Sequence, residues 1–313
     1  MVSPRGRFAP SPSGRMHLGN VFCALISWLS VKSEGGQAVL RIEDLDTSRC
    51  KSAYTEQLLD DLAYLGLDYD EGPTLSDMDM SYFQSTRTAL YEQALEKLDA
   101  KGLIYPCYCS RDELHAVSAP HASDGRVLYS GTCRHLSDVQ RASKTRSPAM
   151  RMKAADCTYT FTDGLYGDQQ FNVKEEWGDF VLRRSDGLFA YQLAVVVDDA
   201  AMGITQVVRG RDLLSSVAPQ LQLYEALDLT PPQFLHIPLL VNAEGRRLSK
   251  RDRDLDMGEL RKRYPRSEDL IGKLLHLTGI IPSPQPITPS EALEIFSFDK
   301  LRRDDITICF MDL

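Results

Sequence analysis

A chain of 313 residues that is 43% hydrophobic and 26% charged can bury a sizeable core, in about two or three structural units, and is not a disordered polymer. Its net charge of −8 excludes a surface that grips nucleic acid everywhere, though not a local basic face. Seven cysteines, of which Cys23, Cys50, Cys157 and Cys309 stand alone, exclude a secreted disulfide framework.

The first residues, Met1-Val2-Ser3-Pro4-Arg5-Gly6-Arg7, hold no apolar h-region and no cleavage pattern, so a cytoplasmic location is expected. Gly6 to Pro10 reads as a short strand and Pro10-Ser11-Pro12-Ser13-Gly14 as a rigid loop. A helix is expected from Asn20 to Ser33, with Val21, Leu25, Ile26 and Leu29 on one face and Gly35-Gly36 as its stop. The apolar stretch Val21 to Val31 is too short to cross a bilayer, so it reads as a buried helix and no membrane partner is expected. Ala38 to Ile42 is a nearly continuous apolar run, as a strand buried on both faces requires. The unit is βαβ, and ligands of such sheets sit at the carboxyl edge, where Pro10, Ser11 and Glu43 fall.

Helices are expected from Ser52 to Leu65, ending at Gly66, and from a capping box at Ser81 to Gln84 as far as Gly102. From Leu103 to about Lys174 the texture changes to cysteine, glycine and proline, then alternating Thr158-Tyr159-Thr160-Phe161. This reads as an inserted subdomain with hairpins. Phe180 to Arg184 and the apolar run Ala190 to Val197 flank Ser185-Asp186-Gly187, a hairpin signal. Thr205–Arg209 and His236–Val241 read as strands, Ser215–Leu227 as a helix, and the tail from about Asp254 as helical, with a capping box at Thr288 to Glu291. The fold class expected is α/β with a parallel sheet. Its units are 1–102, an insertion at 103–178, 179–253, and a helical 254–313.

Two short motifs carry the chemistry. His17-Leu18-Gly19-Asn20 lies between the first strand and first helix, where Gly19 admits a nucleotide and the helix N-terminus favours negative charge. Read alone it is an ordinary helix start with Asn20 as N-cap. Arg246-Arg247-Leu248-Ser249-Lys250-Arg251 follows a strand and a Gly245 turn; read alone it is a solvated basic loop. As a pair separated by an insertion, they resemble the HIGH and KMSKS signatures of class I aminoacyl-tRNA synthetases. Arg7-Phe8-Ala9-Pro10-Ser11-Pro12-Ser13-Gly14, Arg41-Ile42-Glu43-Asp44-Leu45-Asp46, Leu67 to Pro73 and Val208-Arg209-Gly210-Arg211-Asp212 resemble the glutamyl branch. The resemblance implies a Rossmann-like catalytic domain split by a connective insertion.

It also implies roles. Glutamate attacks the α-phosphorus of ATP, with His17 and Asn20 stabilising the charge that builds there, Gly19 making room, and Ser249 and Lys250 with Mg2+ meeting the leaving pyrophosphate. Glutamate carries two carboxylates and an ammonium, so its pocket needs cations and an anion. Arg7 and Arg209 supply the cations, Glu43 meets the ammonium, and Ser11 and Tyr191 add neutral hydrogen bonds. The amino-acid contacts implied are Arg7, Phe8, Ala9, Pro10, Ser11, Glu43, Tyr191 and Arg209. Val195 stands where the glutamyl enzymes usually carry Asn, and weaker glutamate binding is expected from it.

Cys107-Tyr108-Cys109 with Cys133 point to a structural Zn2+ site that needs a fourth ligand. Chemistry alone leaves His135, His121 and His115 open. The resemblance implies Tyr129 instead. The tail to Leu313 is too short for a large anticodon-binding region, and such a core resembles the glutamyl-queuosine tRNA(Asp) synthetases. The implied partner is tRNA(Asp), whose anticodon stem-loop presents queuosine as a splayed base. Arg261, Lys262, Arg263, Arg302 and Arg303 are expected to meet phosphates, and the chain to act as a monomer. Two alternatives are a truncated glutamyl-tRNA synthetase charging the acceptor end and a non-catalytic paralogue that only binds tRNA.

Overall fold

The computed structural model describes residues 3–110, 113, 128–129, 131–246, 248 and 255–308. It opens with β1 (Arg5–Phe8), α1 (Leu18–Ser33) and β2 (Gln37–Leu40), a parallel βαβ unit with Arg5 beside Gln37 and Phe8 beside Leu40. Then come α2 (Ser52–Tyr64), α3 (Thr88–Ala100), β3 (Ile104–Cys107), α4 (Asp138–Ala142), β4 (Ala149–Met152), β5 (Thr158–Asp163), β6 (Gly167–Asn172), α5 (Val173–Glu176) and β7 (Phe180–Arg183). The chain continues through α6 (Tyr191–Ala201), β8 (Gln206–Gly210), α7 (Val217–Ala226), β9 (Gln233–Ile237) and β10 (Leu240–Val241). After the (R)LSKR motif follow α8 (Met257–Arg263), α9 (Ser267–Leu277), α10 (Pro289–Ile295) and β11 (Ile306–Thr307).

The main sheet runs β2-β1-β8-β9, all parallel. Its strands alternate between two cores. Ala38, Leu40, Val208 and Leu235 pack with α1 and α2 on one face; Val39, Val207 and Phe234 pack with α3, α6 and α7 on the other. This is why the strands read as unbroken apolar runs, each fully buried large side chain contributing about 1.5–3 kcal/mol. The chain passes from β1 through α1 to β2 on one side and later enters β8, from α6, on the other side of β1, so a crevice opens at the carboxyl ends between β1 and β8. Strands β3, β4 and β7 form a separate antiparallel sheet, and β5 with β6 a hairpin.

Several expectations change in detail. The first helix begins at Leu18, with His17 rather than Asn20 as its N-cap. Ser81 and Gln84 form no cap of a long helix; α3 starts only at Thr88, because the Gln84 amide turns inward to the buried Asp198 carboxylate at 2.8 Å. The Ser185–Gly187 turn forms, closed by Arg184 N to Leu188 O at 2.8 Å, but its second arm becomes helix α6. Leu193 to Asp199 is buried throughout, so its pattern carries neither helical nor strand periodicity, and length decides. The His236–Val241 strand breaks at Pro238 into β9 and β10. Among the described residues no helix is long and apolar enough to cross a membrane.

Candidate active site

A cavity of about 350 Å³ lies at the carboxyl edge of β1 and β8. Arg7, Phe8, Ala9, Pro10 and Ser11 line it from β1 and the loop beyond; His17, Gly19 and Asn20 line it from the start of α1. Glu43, Tyr191 and Arg209 complete the set from beyond β2, from α6 and from β8. Ser249 and Lys250 lie outside the described residues, but their neighbour Leu248 is buried and lines the same cavity.

At the start of α1 the sequence builds a reciprocal cap. His17 Nδ1 accepts from Gly19 N at 3.1 Å, and His17 N donates to Asn20 Oδ1 at 3.2 Å. An imidazole whose Nδ1 accepts keeps its proton on Nε2, and an amide whose oxygen is occupied presents its NH2, so both groups are set as donors. A Cβ on Gly19 would stand 3.1 Å from the His17 ring, so a larger residue would press the imidazole out of place. Met257 N donates to Met16 O at 2.9 Å and Asp256 forms a β-bridge with His17, so the chain leaving the (R)LSKR motif returns beside the HxGN motif.

The Glu43 and Arg7 end of the cavity is held by a buried charge network that sequence reasoning missed. Arg41, fully buried, donates to Asp199 at 2.6 Å and to Glu43 at 3.3 Å, with Asp198 4.0 Å away. Arg7 sits 3.4 Å from Asp199. Burial pushes the Glu43 carboxyl up, against the pull of Arg41 and Arg7. Burial would raise Asp199 too, but the same two arginines hold it below its ordinary value. The signal available was an arginine in an apolar strand and an Asp-Asp pair closing an apolar run, since buried charges persist only when paired. Arg209 is gripped on three sides: Nε to His236 Nε2 at 3.0 Å, Nη1 to Tyr191 Oη at 3.3 Å, and Nη2 to Leu213 O at 3.3 Å. Val195, one turn beyond Tyr191, is buried in the core and is not among the residues lining the cavity. The expected loss of glutamate affinity therefore has no direct contact to rest on.

The basic tail is partly committed to the fold. Arg261 pairs with Asp60 and with Asp61 and lies 4.7 Å over the Tyr64 ring, and Lys262 pairs with Glu259 at 2.7 Å.

The thiols of Cys107, Cys109 and Cys133 lie within 4.8 Å of one another. Cys109 and Cys133 sulfurs are 3.6 Å apart, and Tyr129 Oη is 3.3 Å from Cys107 Sγ and 3.5 Å from Cys109 Sγ. Tetrahedral zinc, with Zn–S of about 2.3 Å and Zn–O of about 2.0 Å, needs sulfur–sulfur edges of about 3.8 Å and sulfur–oxygen edges of about 3.5 Å. The donor set fits. His135 is exposed and outside the cluster; His115 and His121 lie outside the described residues. Burial pushes the Cys109 thiol up to about 11 and the Tyr129 phenol higher still, the opposite of what a bound cation imposes.

The family described as tRNA synthetases class I (E and Q), catalytic domain, matches residues 4–299. A Glutamyl-Q tRNA(Asp) synthetase of Nitratidesulfovibrio vulgaris is 46% identical over 297 residues, covering 94% of this chain and 92% of its own. One from Symbiobacterium thermophilum is 44% identical over 309 residues, covering 97% and 95%. The crystal structure of a glutamate tRNA ligase from Elizabethkingia meningosepticum in complex with its amino acid superposes with a TM-score of 0.83 at 28% identity, over 99% of this chain and 68% of that one.

Proposed function

The chain belongs to the Glutamyl-Q tRNA(Asp) synthetase family of class I ligases, and from that premise we propose that it activates L-glutamate with ATP, without tRNA, and transfers it to queuosine at the wobble position of tRNA(Asp). The observation that carries this reading is the convergence of Arg7, Glu43, Tyr191 and Arg209 beside the His17–Asn20 cap in one cavity.

In the first step a glutamate carboxylate oxygen attacks the α-phosphorus in line, its bond to the bridging oxygen breaks, and pyrophosphate leaves with glutamyl-adenylate behind. Arg209 and Arg7 hold carboxylates and Glu43 takes the ammonium, which fixes the attacking oxygen and spends binding energy on orientation. His17 and Asn20 donate to the α-phosphate oxygens as charge grows there, and Gly19 leaves space for the nucleotide. Ser249 and Lys250 meet the departing pyrophosphate, and Mg2+ supplies charge neutralisation across the phosphates. In the second step a queuosine hydroxyl attacks the acyl carbon and AMP leaves. Cys107, Cys109, Tyr129 and Cys133 would hold Zn2+, whose contribution there is structural. Residues 103–178 act as a connective insertion between the catalytic segments 1–102 and 179–253, with 254–313 as a C-terminal region, in a cytoplasmic monomer.

The test offers labelled glutamate, ATP and the purified protein to tRNA(Asp) with and without queuosine, beside tRNA(Glu). Label is expected on the modified tRNA(Asp) alone. Transfer to tRNA(Glu) with none to modified tRNA(Asp) would establish acceptor-end charging instead, and no glutamate-dependent pyrophosphate exchange would establish a non-catalytic binder.

A further inference from the structure

We propose that Asp163 and His236 form a positioning pair that holds Arg209 in the orientation that clamps a glutamate carboxylate, with the β5–β6 turn setting the tautomer of the imidazole. The inference rests on the glutamate reading above. Arg209 and His236 are register partners on the adjacent parallel strands β8 and β9. Because Arg209 Nε donates to His236 Nε2, that nitrogen carries no proton, and the neutral ring must carry it on Nδ1. Nδ1 faces Asp163 Oδ2 at 2.6 Å.

Asp163 is itself pinned. Its Oδ1 accepts from Leu165 N and Tyr166 N, each at 3.0 Å, and its Oδ2 accepts from His236 N at 3.0 Å. The turn reaches β9 because Gly164 has no side chain: a Cβ there would stand 2.7 Å from Leu235 Cγ. Gly164 N also donates to Phe234 O at 3.0 Å. The hairpin is thus built to deliver one carboxylate to one histidine.

Both side chains are fully buried. Burial pushes the imidazole down to about 4, opposed by the Asp163 hydrogen bond and helped by the Arg209 charge, so it stays an acceptor through the neutral range. A protonated ring would set N–H against N–H and repel the guanidinium. With Nε taken by His236, Nη1 by Tyr191 and Nη2 by Leu213 O, one N–H on each Nη makes no hydrogen bond among the described residues. A carboxylate can take one N–H from each Nη in bidentate fashion.

Two measurements test the pair. Imidazole nitrogen NMR shifts of the histidine-labelled wild-type protein, which need no substrate, are expected to show His236 with Nδ1 protonated, and D163N to invert this. In D163N, Leu165 N and Tyr166 N favour an oxygen at Oδ1, which His236 N also reaches at 3.3 Å once its Oδ2 acceptor is lost, so the new NH2 faces the ring. In glutamate-dependent pyrophosphate exchange, H236F is expected to raise the KM for glutamate by about ten- to a hundredfold, with a smaller loss in kcat and little change in the KM for ATP. H236Q, which restores an acceptor to Arg209 Nε, is expected to return KM to within about threefold of wild type, and D163N to behave like H236F without emptying the core. An unchanged glutamate KM in both H236F and D163N, or a wild-type ring protonated on Nε2, overturns the proposal while leaving the glutamate reading intact. Absence of exchange in the wild type overturns the glutamate reading, and this proposal with it.

Discussion

Asn20 does two jobs with its two amide atoms. The oxygen closes the cap on His17 N, and the nitrogen is left as a donor at the cavity. Asn20→Asp separates them: the carboxylate keeps the cap and suits the helix N-terminus, but it removes the donor and sets a negative charge against phosphate. Thermal stability is expected to be retained, while glutamate-dependent exchange falls by about a hundred- to a thousandfold. Exchange at the wild-type rate would reduce Asn20 to a capping residue. At this scale the sequence was readable where chemistry repeats as a motif, as in His17 to Asn20 and Arg7 to Ser11. Arg41 and Asp199 left only an indirect signal, and Asp163 and His236 none, because each alone has an ordinary surface or core explanation. Only the register of parallel strands, which puts His236 beside Arg209 from 27 positions along the chain, gives them a role.

Among the elements, the cysteine segment is fastened by more than its thiols. Asp179 accepts from Tyr105 Oη at 2.5 Å, from Arg134 Nε at 2.9 Å and from Ala154 N at 2.8 Å, tying the segment to β3 and to the end of β4. Arg151 stacks 4.0 Å over the Tyr129 ring. Metal analysis is therefore expected to find roughly one equivalent of zinc per chain in the wild type and none in Cys133→Ser, which should also melt at a lower temperature while the β3–β4–β7 sheet persists. Full zinc content in that variant would remove Cys133 from the ligand set. Element types were legible wherever one face is wet, as in the alternating β5, or wherever a cap is local, as at Thr288 to Glu291. They were not legible in α6, where both faces are buried and the burial pattern loses its period. Nor were they legible at Gln84, where a distant carboxylate outcompetes the local cap.

Across the whole molecule, the last described residues brace the wall of the cavity. Strand β11 pairs with β10, setting Ile306 beside Leu240, and Leu239 and Leu240 line the cavity. Asp305 fixes this contact by binding Arg211 through both oxygens, at 2.5 and 2.6 Å, while accepting from Leu239 N at 2.9 Å. Burial would raise the Asp305 carboxyl, but Arg211 and the Leu239 N–H outweigh it and hold it below its ordinary value. A carboxyl depressed in the folded state stabilises fully above its unfolded value of about 3.9 and loses that contribution as pH falls through the lower folded value. Asp305→Asn is therefore expected to cost about 1–2 kcal/mol at neutral pH, a melting shift of a few degrees, since the Arg211 side chain is 45% exposed and the pair is screened. The gap between variant and wild type should narrow as pH drops below about 4, where the wild-type carboxyl is protonated too. Because Asp212 and Leu213 line the cavity just beyond Arg211, the same variant should weaken glutamate-dependent exchange at neutral pH although Asp305 touches no substrate. A gap that stays constant across the acid limb would show that the carboxylate charge is not what braces the wall.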